Sequence, residues 1–279
     1  MSAQPQPRID DVIISKILES LPEPIAEILN PLCLLYTSLT YIPVVLLNIL
    51  LGKTPSSALS SWSSFKDAWF ARFWQYFGPM SSANASDRIR PLVAHASGVV
   101  LDIGTGQGDF LKLYGPHLGQ ISKVYAVELN RQQWPGLLEN ARKAGLTAES
   151  GKFEILDARI EELEAKGGIK RQSVDTIVTL QTLCSMPESQ MLIQELRSYL
   201  KPGGKWIVYE HVKNDGLLVG GYQKLLDGVW TQCLNGCSLR KDTKGLIEGT
   251  GGWKNTLQPA AHDNPWSCFP HAQGVLISE

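Results

Sequence analysis

The chain has 279 residues, 43% of them hydrophobic and 19% charged, with a formal net charge of −1. That length holds one α/β core of about 200 residues plus an appendage, and 26 basic residues scattered against 27 acidic ones leave no basic footprint, which disfavours a nucleic-acid partner. The five cysteines (Cys33, Cys184, Cys233, Cys237 and Cys268) form an odd set read as free thiols. Cys233 and Cys237 stand four apart with no histidine pair at zinc-finger spacing, so no metal site is expected.

At the amino terminus, Asp10, Asp11, Glu19, Glu23 and Glu27 precede the first apolar run and give it an acidic flank unlike that of a secretory signal. From Ile28 to Gly52 no side chain is charged. As a helix this run reaches about 36 Å, against ~30 Å of bilayer hydrocarbon. Residues 1–52 are therefore read as an N-terminal segment with a candidate membrane anchor at 28–51. Pro31 and Pro43, with Asn30, Thr37, Ser38, Thr40 and Asn48, lower its apolarity and kink it. Three arrangements stay open: a full span, an interfacial hairpin about Pro43, or a helical lid on a soluble protein. The first two put the protein at a membrane with its main domain in the cytoplasm; the third leaves it soluble there.

Residues 53–95 are read as a Ser-rich linker, KTPSSALSSWSS, followed by an aromatic helix. Phe65, Trp69, Phe73 and Phe77 recur every four residues, with Trp62 and Trp74 nearby. The stripe suits core packing, a membrane surface or the roof of an apolar pocket.

The region 96–279 opens on VVLDIGTGQGDF, residues 99–110. Val99 to Ile103 is a short β-branched run ended by glycine, the pattern of a buried parallel strand, and a helix is expected from near Asp109. Gly104, Gly106 and Gly108 allow positive φ and let a ligand touch the main chain. The third glycine of a dinucleotide fingerprint falls on Asp109, which disfavours a nicotinamide-dependent oxidoreductase, and Gly108-Asp109-Phe110 is not a P-loop ending. Asp102 and Asp109 flank the loop with negative charge, so a cation such as a sulfonium fits better than a pyrophosphate. Val124–Val127 then ends in Glu128, twenty residues past Gly108, where a carboxylate is placed to accept ribose hydroxyls. Further strands follow at Phe153–Leu156 before Asp157, at Thr176–Leu180 before Gln181 and Thr182, and at Trp206–Tyr209 before Glu210 and His211. Five strands alternating with helical segments give a doubly wound parallel sheet, with the polar residues at its carboxyl edge.

In this order the elements resemble the class I S-adenosylmethionine-dependent methyltransferases, with motif I at Asp102-x-Gly104-x-Gly106-x-Gly108. LCSMP at 183–187, LKPGGKWIVYEHV at 200–212 and WTQCLNGCSLRKDT from Trp230 look like the methyltransferase-like 7 group, membrane-associated enzymes that include thiol methyltransferases. The likeness runs over roughly residues 62–279 and is densest from 99 to 240. It implies a mainly parallel seven-stranded sheet and S-adenosyl-L-methionine as cofactor. It also implies contacts to that cofactor from Asp102, Gly104, Thr105, Gly106, Gly108, Glu128, Leu129, Asp157, Ala158 and Gln181, with Asp157 and the Ala158 amide at the adenine. The chain departs from the group at Met186 and after Gly249, which bears on the acceptor. Trp253, Trp266 and Phe269 predict an apolar acceptor pocket, and a small molecule is expected as acceptor, as in a tailoring step of specialised metabolism. A protein of this fold that binds cofactor without transferring methyl is the alternative.

Methyl transfer from a sulfonium asks the protein for alignment and exclusion of water. A base is needed only where the acceptor must lose a proton. His211, at the end of the fifth strand, is the candidate for that role. His95, His117, His262 and His271 are read as surface or packing residues, and Cys184 and Cys237 as small buried hydrophobes on pocket segments.

Overall fold

The computed structural model describes residues 8–187, 190–261 and 263–279; His262 lies outside them. Helices α1 (Ile9–Ser20), α2 (Glu23–Leu39), α3 (Ile42–Leu50) and the long α4 (Trp62–Val93) precede the first strand. Strands β1 (Gly98–Ile103), β2 (Ile121–Val127), β3 (Phe153–Leu156), β4 (Val174–Leu180), β5 (Leu200–His211), β6 (Gln258–Pro259) and β7 (His271–Ile277) form one sheet in the order β3-β2-β1-β4-β5-β7-β6. Pairing is parallel from β3 to β5, and β7 runs antiparallel to both β5 and β6. Helices α5 (Trp134–Lys143), α6 (Gln190–Ser198), α7 (Leu217–Cys233) and α8 (Thr243–Glu248) complete the described elements. The order of strands reverses between β1 and β4, and the loops leaving their carboxyl ends open the crevice in which such sheets bind ligands.

The expected helix after the glycine loop is absent. Its place is taken by two single 3₁₀ turns, Leu111–Leu113 and Gly115–His117. Pro116 has no N–H to donate, and Gly115 before it is a poor helix former. Only twelve residues separate Gly108 from β2 at Ile121, so the connection stays a compact turn.

Helix α4 serves two layers. Ala85, Ile89 and Val93 pack with Val100 of β1, Val178 of β4 and Ile207 of β5. Trp69 and Phe73, 2% and 0% exposed, pack with Leu35 and Tyr41 from the N-terminal segment, Val45 of α3, and Trp230 of α7. The aromatic stripe is thus core on the side of residues 69 and 73. The N-terminal segment belongs to that core too: Val45 is 1% exposed. Ser38 Oγ donates to the Cys233 carbonyl (3.0 Å), and Trp69 Nε1 donates to the Ser38 carbonyl (2.7 Å). Burying side chains of this kind contributes about 1.5–3 kcal/mol each. The opposite face of the segment, with Ile25, Leu32, Leu46, Leu47 and Leu50, is exposed.

Candidate active site

One cleft of about 630 Å³ runs along the carboxyl edge of the sheet. Its floor is the loop after β1, one end lies at Glu128 after β2, and the other is closed by His211, Trp230, Cys237, Phe269 and His271. Phe70, Trp74 and Phe77 of α4 roof it, and Asn30 and Leu34 of α2 reach its rim. The helix that buries Trp69 and Phe73 on one side thus turns a second aromatic row to the cleft.

The glycine loop has definite reasons for its sequence. A Cβ on Gly104 (φ +64°) would stand 1.8 Å from Thr182 Oγ1, so this glycine lets the loops after β1 and β4 meet. Gly106 (φ +59°) differs: a Cβ there would meet only Trp74 Nε1 at 3.6 Å and otherwise grow into the cleft. Thr105 Oγ1 donates to the Asp102 carbonyl (3.0 Å), and Tyr114 donates its hydroxyl proton to Asp102 Oδ2 (2.8 Å). Glu128 Oε2 accepts from the Gly106 N–H (2.8 Å) and Oε1 from the Asn130 N–H (2.7 Å), so the carboxylate that ends β2 also shapes the loop.

Of the residues expected at the cofactor, Asp102, Gly104, Thr105, Gly106, Glu128, Leu129, Ala158 and Gln181 line the cleft together. Gly108 and Asp157 are not among its lining. A Cβ on Gly108 would press on Leu111 at 2.8 Å and Leu137 at 3.0 Å, so this glycine serves packing. Asp157 is ion-paired with Arg131, whose Nε lies 2.8 Å from its Oδ2. Gln181 holds φ +58°, uncommon for a residue with a Cβ. Its N–H donates to the Tyr209 carbonyl (2.8 Å), and the next two amides, of Thr182 and Leu183, donate to the buried Glu210 carboxyl at 3.1 Å. These bonds hold the turn against its strain.

Three carboxyls gather at the Glu128 end of the cleft with their pKa values raised. Burial lifts Asp102 to about 7, with the Glu128 charge adding to it against the pull of Tyr114 and Thr105. Burial likewise lifts Asp109 to about 6 and raises Glu128. Asp109 Oδ2 is buried on the cleft wall without a well-formed hydrogen bond. Acidic groups desolvated around an open site suit a bound cation, which recovers the interaction that water no longer supplies.

At the other end, His211 Nδ1 lies 3.8 Å from Cys237 Sγ, Cys237 Sγ lies 3.4 Å from Cys184 Sγ, and His211 Nε2 is buried with no hydrogen-bond partner. The expectation that no metal-ligand cluster exists therefore needs correcting: these three residues bring their ligand atoms within 4.8 Å of one another. His271, expected at the surface or in packing, lines the cleft, stacks on Tyr209 at 4.6 Å and donates its backbone N–H to Asp263 Oδ2 at 2.5 Å. Of the three C-terminal aromatics expected in the pocket, only Phe269 is there. Trp253 packs on Trp206 at 5.9 Å in the core, and Trp266 is 37% exposed outside the cleft. Sequence reasoning missed Trp230, Arg88 and Phe70; the first and last share the helical spacing of ordinary core residues.

A mainly parallel seven-stranded sheet with a glycine loop and an acidic strand end at its crevice is the frame of a methyltransferase domain, and the chain belongs to the methyltransferase domain family, whose model matches residues 74–243. It is an S-adenosylmethionine-dependent enzyme. Among curated proteins it is similar to human thiol S-methyltransferase TMT1A, 24% identical over 229 residues, covering 78% of this chain and 90% of the relative. It is also similar to human thiol S-methyltransferase TMT1B, 23% identical over 249 residues, covering 85% and 98%. The fold is shared with a solved O-methyltransferase family protein from Burkholderia thailandensis (TM-score 0.54, 15% identity, covering 91% of this chain and 71% of that one).

The raised Asp102 carboxyl gives a signed prediction. A cationic cofactor favours the ionised form, so binding expels a proton and affinity rises with pH through about 7. Between pH 6 and pH 8 the dissociation constant of S-adenosylmethionine should fall about tenfold more in the wild type than in Asp102→Asn. Calorimetry at the two pH values reads this difference, and parallel curves would remove Asp102 from the cation's surroundings.

Proposed function

We propose that the protein methylates a small, mainly apolar molecule, with a thiol as the favoured acceptor. The observation that carries this reading is the continuity of the cleft from Glu128 to His211 under one aromatic roof. Asp102, Gly104, Thr105, Gly106, Glu128 and Ala158 would hold S-adenosylmethionine, which supplies an electrophilic methyl group on a sulfonium. Cleft carboxyls with raised pKa values and the Gly106 gap fit such a cation.

Phe70, Trp74, Phe77, Trp230 and Phe269 would exclude water and hold the acceptor by apolar contact. His211, with an unpartnered buried Nε2 at the far end, is the group to take the acceptor's proton. The two human relatives named as thiol S-methyltransferases support sulfur as the methylated atom. Incubating purified protein with methyl-labelled cofactor and a panel of aromatic and aliphatic thiols, phenols, amines and carboxylic acids tests this. Labelled thioether should exceed the other products, and a panel in which only the oxygen or nitrogen compounds are labelled would overturn the thiol assignment.

We further propose that the exposed side of α2 and α3 seats the protein on a membrane surface, with the catalytic domain on the cytoplasmic side. The run Glu23–Leu50 is 28 residues long and apolar enough to cross a bilayer, yet its inner face is fastened to α4 and α7, which favours lying on the surface. Replacing Leu46, Leu47 and Leu50, 42%, 53% and 83% exposed, together by lysine should move most of the protein from the membrane pellet to the supernatant. S-adenosylhomocysteine binding should be unchanged. Wild-type protein that never sediments with membranes would refute the seat.

A further inference from the structure

The acceptor end of the cleft brings together two thiols and an imidazole that are far apart in sequence. Cys184 follows β4, His211 ends β5, and Cys237 lies beyond α7. Ser238 N–H donates to the Cys184 carbonyl at 3.0 Å, which ties the segment carrying Cys237 to the one carrying Cys184. All three side chains line the cleft, and both cysteines are free thiols.

We propose that Cys184, His211 and Cys237 bind a thiophilic divalent ion of the zinc and cadmium class, and that the bound ion blocks the acceptor end of the cleft. In a tetrahedral site with metal–sulfur bonds near 2.3 Å and metal–nitrogen bonds near 2.05 Å, neighbouring ligand atoms stand about 3.6–3.8 Å apart. Here the sulfurs are 3.4 Å apart and Cys237 Sγ is 3.8 Å from His211 Nδ1. These two distances match the tetrahedral spacing to within a few tenths of an ångström, and all three ligand atoms lie within 4.8 Å of one another, so an ion fits among them after a modest closing-in. Sulfur and imidazole donors without a carboxylate select soft or borderline ions over calcium and magnesium. Three protein ligands leave a fourth position, which faces the cleft that all three line.

Binding balances without electron transfer. Each thiol gives its proton to solvent, two metal–sulfur bonds and one metal–nitrogen bond form, and the two thiolates cancel the charge of the ion. That neutrality matters because Lys241 Nζ is held close by, on the carbonyls of Leu183 (3.0 Å) and Cys184 (2.9 Å). A filled site takes His211 away from any acceptor proton and puts a ligand-hungry ion where the acceptor sits. The blocking step rests on the proposed function for the acceptor's location; ion binding itself does not.

The test is titration of the purified, phosphine-reduced full chain with cadmium chloride, read by the ultraviolet thiolate-to-cadmium absorption band. The expected result is a band saturating at one ion per chain. Cys237→Ser and Cys184→Ser should each weaken binding at least about tenfold, His211→Asn should also weaken it, and Cys233→Ser should leave it intact. Calorimetry with S-adenosylhomocysteine on each variant confirms an intact cofactor end, and the less buried Cys237→Ser serves if Cys184→Ser fails to fold. With an acceptor that is methylated, cadmium added until the band is saturated in that acceptor's presence should remove at least nine-tenths of the rate, and a chelator should restore it. A band that does not saturate at one ion, or that both cysteine variants keep, overturns the site, and methyl transfer that proceeds undiminished with the ion bound overturns the block. Since the band needs no turnover, it decides the site even where no acceptor is methylated, an outcome that would count against the proposed function instead.

Discussion

Gly106→Val is expected to weaken S-adenosylhomocysteine binding by at least about 100-fold, or about 2.7 kcal/mol. The residue sits at φ +59°, where a β-branched side chain is strained by roughly 1–2 kcal/mol, a cost shared by the free and bound protein that lowers stability rather than affinity. Its side chain would also grow into the cleft between Trp74 and the Glu128 carboxylate, whose Oε2 takes the Gly106 N–H. The neighbouring glycine supplies a control with a different signature. Gly104→Ala drives a Cβ to 1.8 Å from Thr182 Oγ1, so its damage should appear in thermal stability as well as in binding. Calorimetry and thermal melts on both variants separate loss of ligand space from loss of fold. If Gly106→Val bound the cofactor product within threefold of wild type, the floor of this cleft would not be the cofactor seat.

The Glu128 end of the cleft was legible because its signals are local. Val99 to Ile103 announces a buried strand, the glycines that follow mark a turn too tight for side chains, and Glu128 terminates the next strand at a fixed distance. The observed sheet confirms that ladder strand by strand. Where the sequence misled, the cause was local geometry: Pro116 broke the expected helix into single turns. The acceptor end was hidden for a different reason. Cys184 and Cys237 are separated by 53 residues, and only the path of α7 back across the sheet edge brings them together. The aromatic period of α4 could not say which of its rows was core, because Phe73 and Phe77 are equally apolar and differ only in what α3 and α7 cover.

His211→Asn should lower the rate of methyl transfer to a weakly acidic thiol by roughly 10²-fold while leaving S-adenosylmethionine affinity within about twofold. The split follows from the shape of the cleft. His211 closes the end opposite Glu128, and no hydrogen bond connects it to Asp102, Gly106 or Glu128 among the described residues. Asparagine keeps a polar group of similar reach but is no base, so the backbone pairing of His211 with His271 in β5 and β7 can persist. A structural role for the imidazole would lower the rate by the same factor for every acceptor. A proton-accepting role makes the factor depend on the acceptor: in a series of ring-substituted thiophenols of falling pKa, the ratio of wild-type to variant rate should shrink toward one as the thiol arrives already ionised. That gradient is the decisive reading, since a merely displaced strand end has no means of sensing the acidity of the molecule bound beside it. A flat ratio across the series, with binding and melting temperature unchanged, would reassign His211 to holding the end of β5.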